Sequence, residues 1–217
     1  MIDNIALSNA VQSKHPLLLI YLFEPMVIND PHISKKHINF IKESILDLNN
    51  SLKKFDTHIH IYECELTYFF QKLLKKYNVK SVFSTEEIGL DLTYKRDIAF
   101  KSFCERNKIE WIEKPRTGVF RGRKNREGWI ENWKELMSSP IKSFNPQSND
   151  FVNLQILGFK EIILKNTKSN NIQRGGPTEA HKYLKSFLNE RYKKYHFKIS
   201  KPELSRYHCS RLSPYFS

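Results

Sequence analysis

Cysteine is scarce in this sequence, and the few cysteines lie far apart. Cys64, Cys104 and Cys209 are odd in number and form no Cys-x-x-Cys pair. This pattern excludes a disulfide framework and a cysteine-based zinc site. It indicates reduced thiols in a cytoplasmic protein, and we predict no metal site.

Long apolar runs are also missing. The longest apolar stretch, residues 16–23, has the length of a strand and is far too short to span a bilayer. The N-terminus lacks a secretory signal pattern, and the chain contains neither an internal repeat nor a low-complexity tract. We therefore expect no membrane partner.

Acidic residues are outnumbered by basic ones, and the excess is uneven. The formal net charge is +13. Residues 141–217 contain 14 Lys and Arg against 5 Asp and Glu, whereas residues 1–140 contain 22 against 18. A basic C-terminal segment with interleaved Tyr and Phe favours a polyanionic partner such as nucleic acid. Charge alone leaves a Lys-rich solvated surface equally open.

What the chain does contain is an alternation of helical and strand patterns. Its 217 residues, 40% hydrophobic, are enough for one full domain and part of another. Apolar periodicity predicts helices over residues 3–11, 34–55, 65–77 and 91–107, and strands over residues 17–23, 57–62, 79–84 and 109–112. Helices that alternate with strands predict parallel βαβ units and a doubly wound α/β sheet.

The last nine residues, 209–217, combine small hydroxyl side chains with an arginine. Ser210 and Ser213 flank Arg211, and Ser213-Pro214 suits the N-cap and first position of a helix. A helix N-terminus beside hydroxyls and an arginine is suited to binding phosphate.

From residue 175 onward, several motifs follow one another in a fixed order. They are Gly175-Gly176-Pro177, Ala180-x3-Leu184-x2-Phe187, Tyr195, Pro202 and Cys209-Ser210-Arg211-Leu212-Ser213-Pro214-Tyr215. This ordered series resembles the beginning of the flavin domain of the photolyase/cryptochrome family.

The resemblance implies a domain organisation. Residues 1–140 correspond to the photolyase-type α/β (antenna) domain, 141–174 to an interdomain linker, and 175–217 to the truncated start of a helical FAD-binding domain. It also implies that the first strand of the Rossmann-like sheet is missing, because that strand precedes the Asp-Asn-x-Ala-Leu pattern found here at residues 3–7. Such a sheet should leave backbone groups unpaired and be poorly stable.

The resemblance also assigns cofactor-binding residues. Tyr195 corresponds to a tyrosine that contacts the flavin, and the phosphate-contacting run comprises Cys209, Ser210, Arg211, Leu212 and Ser213. The DNA-contacting arginine that many repair members carry four residues after the tyrosine is replaced here by Ile199. The less favoured interpretations are that Tyr195 is a buried aromatic and Ser213 an ordinary N-cap.

Two further stretches match the family. Arg96-Asp97 resembles an Arg-Asp pair that belongs to an antenna or interdomain contact in the family, although a surface ion pair is the favoured interpretation. Trp129, Trp133 and Met137 recur at helical spacing, which we interpret as packing.

The function implied is that of a fragment of an FAD-dependent deoxyribodipyrimidine photolyase, inactive as this chain alone. The parent protein would act on damaged DNA and carry FAD with an antenna chromophore, a folate or a deazaflavin. A separate chain could supply the rest of the FAD domain, and no catalytic residue can be named. Two alternatives remain: a cryptochrome-type blue-light photoreceptor without repair activity, and a flavin-free α/β module that binds nucleic acid.

Overall fold

The computed structural model describes residues 3–115, 118–119, 121–141, 145–156, 158–165 and 172–215. These residues form nine α-helices and four strands. In chain order they are α1 (Ile5–Gln12), β1 (Ile20–Leu22), α2 (Pro25–Ile28), α3 (Lys35–Leu52), β2 (His60–Tyr62), α4 (Leu66–Leu73), β3 (Ser81–Thr85), α5 (Asp91–Arg106), β4 (Glu110–Lys114), α6 (Trp129–Ser138), α7 (Pro177–Asn189), α8 (Tyr195–Lys198) and α9 (Ser205–His208). None of the helices in these ranges has both the length and the apolar character that a bilayer crossing requires.

The chain divides into two compact units. The first contains Met1–Asp30 and Lys54–Ile162, and the second contains Pro31–Lys53 and Ile163–Ser217. The long helix α3 thus belongs to the same unit as the C-terminal helices. The proposed domain limits at residues 140 and 174 remain a prediction.

The first unit contains the strands, and all of the strand pairing is parallel. β1 pairs with β2 in the register Ile20 to His60, and β3 pairs with β4 in the register Ser81 to Glu110. Each pair is connected through helical segments, as parallel strands require. The predicted parallel α/β fold is confirmed.

The two strand pairs share the same hydrophobic layers. Leu22 of β1, Val82 of β3 and Trp111 of β4 pack against one cluster, which is built around Phe69 and Phe100 of α4 and α5. Leu19 and Phe83 pack against a second cluster on α1. Because side chains alternate between the faces of a strand, both pairs present matching faces to the same two layers.

The sheet is nevertheless divided between β1 and β3. In the described residues, hydrogen bonds join strands only within the β1–β2 and β3–β4 pairs. β2 is fully buried, whereas β1 and most of β3 are only half-buried.

The segment after α6 packs against the strands of the first unit. Leu17 forms a parallel bridge with Phe151, and the amide of Ile162 donates to the carbonyl of Ile61 at 2.8 Å. Ile156, only 2% exposed, completes the main cluster. Residues 142–144, 157 and 166–171 of the predicted linker lie outside the described residues.

The prediction that the apolar residues of α6 serve as packing residues is largely wrong. Trp129, Trp133 and Met137 are 38%, 42% and 52% exposed. Trp133 does cover Gly118, where a Cβ atom would overlap its indole ring. The helical spacing correctly predicted helix α6. The described part of the chain nevertheless leaves much of the apolar face of α6 exposed.

Close contact between α3 and the start of α7 defines the second unit. The amide of Gly175 donates to Glu43 Oε2 at 2.8 Å. Asp47 accepts hydrogen bonds from the amide and the hydroxyl of Thr178, at 2.7 and 2.8 Å. A carboxylate there satisfies free amides and interacts favourably with the helix dipole. As the Gly-Gly-Pro motif predicts, α7 begins at Pro177.

Candidate functional site

The predicted phosphate-contacting run, residues 209–213, is organised by one arginine that the sequence analysis did not select. Arg191 donates from Nη1 to the carbonyl of Cys209 and from Nη2 to the carbonyl of Ser210, the latter at 3.3 Å. It also donates to the carbonyl of Tyr183 at 2.7 Å and to Ser186 Oγ at 3.0 Å. Arg191 therefore attaches the run to α7 through backbone carbonyls.

Arg211 brings a second guanidinium to the same place. Its backbone has a φ of +59°, a left-handed conformation that is uncommon for a residue with a side chain. Its guanidinium lies 5.2 Å from the centre of the Tyr183 ring, and that of Arg191 lies 5.7 Å from the same ring. Burial, together with the neighbouring Arg211, lowers the pKa of Arg191. Two guanidinium groups on one aromatic ring form an electropositive cluster that an anion would stabilise.

The end of the run is fixed from two sides. Gln173 Nε2 donates to the carbonyl of Arg211 at 2.6 Å, and the Tyr215 hydroxyl donates to the carbonyl of Arg174 at 2.6 Å. Ser213–Tyr215 forms a 3-10 helix, with the Tyr215 amide bonded to the Leu212 carbonyl at 2.9 Å. A short 3-10 helix is thus found where Ser213-Pro214 predicted the start of a helix. Phe216 and Ser217 lie outside the described residues.

The six predicted cofactor-binding residues all lie in the second unit. Cys209, Ser210, Arg211 and Leu212 are half-buried, and Ser213 is exposed. Tyr195, the first residue of α8, packs edge-on against Phe187 at 5.6 Å between ring centres. Their role in binding FAD remains a prediction.

A second group of polar residues lies in the first unit, at the carboxyl ends of the strands. Arg96 binds Glu24 at 2.7 Å and Asp97 at 2.8 Å, and Arg121 binds the other oxygen of Asp97. Arg121 also contacts Glu113 at 3.2 Å. Glu24 follows β1, and Glu113 belongs to β4. The network thus brings the carboxyl ends of β1 and β4 together with α5, at the edge where α/β proteins usually bind ligands.

The network also fixes two helix starts. Glu24 Oε2 accepts a hydrogen bond from the amide of Leu66 at 3.1 Å, and Glu65 Oε1 accepts one from the amide of Met26 at 3.0 Å. Each glutamate thereby satisfies a free amide at the start of the other's helix.

The interpretation of Arg96-Asp97 as a surface pair is wrong. Asp97 is 4% exposed and Glu24 6%. The adjacent pair is visible in the sequence. Its further partners are not, because Glu24 lies 72 residues from Arg96 and Arg121 lies 24 residues from Asp97.

A cavity of about 470 Å³ opens beside this network. Arg121 is one of its lining residues, and the apolar part of the lining includes Leu90, Val119 and Trp129. The walls of the cavity are largely apolar and aromatic, a lining suited to a planar ligand, while the guanidinium of Arg121 is engaged by Asp97 and Glu113.

The carboxyl group of Glu113 should make stability depend on pH. Burial, with Asp97 and Glu86 nearby, raises its pKa above the ordinary 4.5, and Arg121 only partly opposes this. The folded protein then binds more protons than the unfolded chain, so the contribution of Glu113 to stability is present at low pH and lost as pH rises through its raised pKa.

We expect Glu113→Gln to become more stable relative to the parent protein as pH rises from about 4 to 7. Urea unfolding at several pH values measures this difference. A stability difference that stays constant across this interval would contradict the prediction. Glu110→Gln, at an exposed position of the same strand, is the control.

The chain is similar to known proteins both in sequence and in fold. The sequence model of the DNA photolyase family, described as DNA photolyase, matches residues 1–123. Curated proteins give no match. The chain belongs to the DNA photolyase family.

Solved structures share its fold at low sequence identity. An archaeal photolyase from Sulfolobus tokodaii, solved with two FAD molecules, is 18% identical with a TM-score of 0.71. A bacterial class III photolyase from Agrobacterium tumefaciens is 17% identical (TM-score 0.68), and a cryptochrome from Synechocystis sp. PCC6803 is 15% identical (TM-score 0.67). Each covers 99% of this chain, which spans only 48%, 47% and 49% of theirs.

Proposed function

We propose that this chain is part of an FAD-dependent deoxyribodipyrimidine photolyase. The observation that carries the proposal is the electropositive run at residues 209–213, held in place by Arg191 in a chain of the photolyase family. The run combines the hydroxyls of Ser210 and Ser213 with the guanidinium of Arg211. This donor set suits the pyrophosphate of FAD.

Each residue of the run has a distinct part in this proposal. Ser210 and Ser213 donate hydroxyl hydrogen bonds, Arg211 supplies charge, and Leu212 contributes its backbone amide. The amide of Cys209 already donates to the carbonyl of Ser205 at 3.0 Å, so Cys209 contributes only its thiol, a weak donor. Arg191 is a positioning residue, because its guanidinium already binds carbonyls of the run. Tyr195 would contact the flavin. When bound and photoexcited, reduced FAD supplies an electron to a pyrimidine dimer in DNA.

The cavity beside Arg121 is the proposed position for an antenna chromophore. Its aromatic and apolar lining would hold a planar ring system. Folate and deazaflavin both meet this description, so the residues do not choose between them.

The proposed pyrophosphate contact can be tested on residues 1–217 directly. We expect titration with ADP, which carries the diphosphate, to shift the backbone amide NMR signals of Ser210, Arg211 and Ser213, while signals of α1 stay unchanged. Arg191→Gln should abolish these shifts, because the carbonyls of Cys209 and Ser210 lose their donor. Lys182→Gln, which removes an exposed cation of the neighbouring helix α7, is the matched control.

Two outcomes would contradict the proposed contact. One is an absence of shifts in the run at millimolar ADP. The other is an equal loss of binding in the Arg191 and Lys182 variants. We also expect residues 1–217 to be inactive when purified alone. Stoichiometric flavin absorbance in the purified chain would contradict this expectation.

A cryptochrome function is the second candidate, supported by the similarity to the Synechocystis cryptochrome. The two functions differ in repair. A photolyase product of the full gene would remove thymine dimers from an oligonucleotide only under near-ultraviolet or blue light, whereas a cryptochrome would leave them intact.

A further inference from the structure

Two histidines and a glutamate form a compact cluster in the first unit, on the side of β2 that faces the segment after α6. His58 and His60 are two residues apart along the strand direction, so their side chains project from the same face. Their ring centres lie 4.1 Å apart. Glu161 reaches both: His58 Nε2 lies 2.9 Å from Oε1, and His60 Nδ1 lies 3.1 Å from Oε2.

The backbone keeps these three side chains together. The amide of Ile162 donates to the carbonyl of Ile61 at 2.8 Å, which places Glu161 beside the strand residues that flank Ile61. Ile156 of the same segment is buried in the main core. The glutamate is therefore held next to the histidines by the fold, although about a hundred residues separate them.

We propose that His58, His60 and Glu161 bind a divalent transition-metal ion of the zinc class. Two imidazoles and one carboxylate are a ligand set that favours zinc and its neighbours over magnesium or calcium. Tetrahedral bonds of 2.0–2.1 Å hold ligand atoms about 3.3 Å apart. One donor atom from each side chain lies within 4.8 Å of those of the other two, so small side-chain rotations suffice.

Two observations show that the cluster can accept a further ligand. His60 and Glu161 line a cavity of about 510 Å³, which has room for a water molecule as a fourth metal ligand. The side chain of His60 is only 4% exposed, and its Nε2 atom has no hydrogen-bond partner among the described residues. A buried nitrogen without a partner costs stability, and a metal ion or a water molecule at Nε2 would satisfy it.

A bound ion would connect β2 to the segment after α6, which contains Glu161. Because binding to the folded state alone stabilises it by mass action, zinc should raise Tm by about 5 °C when present at roughly a hundredfold excess over its Kd. This inference does not depend on flavin or repair, so it stands or fails independently of the proposed function.

The test uses residues 1–217 freed of metal with a chelator. We expect Co²⁺ to bind with one equivalent and to give the visible absorption of tetrahedral cobalt, and Zn²⁺ to displace it. His58→Ala and Glu161→Gln, both at half-buried positions, should weaken binding by more than the roughly 10–100-fold that outer-shell changes cost. Both should remove the zinc-dependent rise in Tm. Circular dichroism would verify that the variants remain folded.

His15→Ala and Glu110→Gln change exposed residues of the same types and should leave metal affinity unchanged. The proposal is overturned if no stoichiometric Co²⁺ or Zn²⁺ binding occurs. It is also overturned if folded His58→Ala and Glu161→Gln variants bind as tightly as the parent protein, or if the control variants lose affinity equally.

Discussion

Replacing Asp97 with alanine is expected to lower the free energy of unfolding by about 3–5 kcal/mol. Asp97, 4% exposed, lies between the guanidinium groups of Arg96 and Arg121. Its removal leaves two half-buried cations without the carboxylate that lies between them, and each keeps only one close carboxylate partner, Glu24 or Glu113. Urea unfolding followed by circular dichroism measures the loss.

The matched control for Asp97 is Asp91→Ala on the same helix. Asp91 also forms an ion pair, with Lys95 at 2.6 Å, but both side chains are 73% exposed. Exposed pairs contribute little because water screens them, so this variant should remain close to the parent protein. Equal losses in the two variants would show that burial of the network is unimportant.

A double variant tests the mechanism. Replacing Arg121 with methionine in the Asp97→Ala background removes one of the two cations that lost a partner and keeps apolar volume. We expect the double variant to lose less stability than the sum of the two single changes, because the residues share one network. Strict additivity would contradict direct coupling between them.

Gly175→Ala is expected to lower the free energy of unfolding by about 3 kcal/mol through steric overlap. A Cβ atom at this position would overlap the carbonyl oxygen of Phe40 and lie 2.9 Å from the carbonyl carbon and 2.6 Å from Ser44 Oγ. The backbone of α3 cannot move aside as a flexible side chain could. The hydrogen bond from the Gly175 amide to Glu43 would also be strained.

Gly158→Ala provides the comparison for Gly175. Apart from its chain neighbours, no atom of the described residues lies within 4 Å of a Cβ added at Gly158, so the φ of +85° is what disfavours a side chain there. We expect a loss of about 1 kcal/mol from that conformation. A Gly175 variant no less stable than the Gly158 variant would mean that α3 and α7 do not approach as closely as described.

Much of the secondary structure could be predicted from local pattern. The apolar run at residues 17–23 and the β-branched stretch at 57–62 indicated strands, and β1 and β2 lie within them. Periodic isoleucines and leucines indicated a helix over 34–55, where α3 is found. These signals are local, because a helix or strand exposes its own period in the sequence.

The candidate site was only partly visible in the same way. The ordered motifs from Gly175 to Tyr215 predicted the phosphate-contacting run, but not that Arg191 would bind its carbonyls. A lysine- and arginine-rich stretch gives no signal of which cation is buried.

Local sequence patterns were enough to predict the parallel α/β class, the start of α7 and the resemblance to photolyases, because each follows from short-range periodicity or an ordered motif. Tertiary structure alone decided that Arg96 and Arg121 share Asp97, that Glu161 meets His58 and His60, and that α3 groups with the C-terminal helices. Those outcomes depend on contacts between residues far apart in the chain, and neither periodicity nor residue type specifies which distant partners meet.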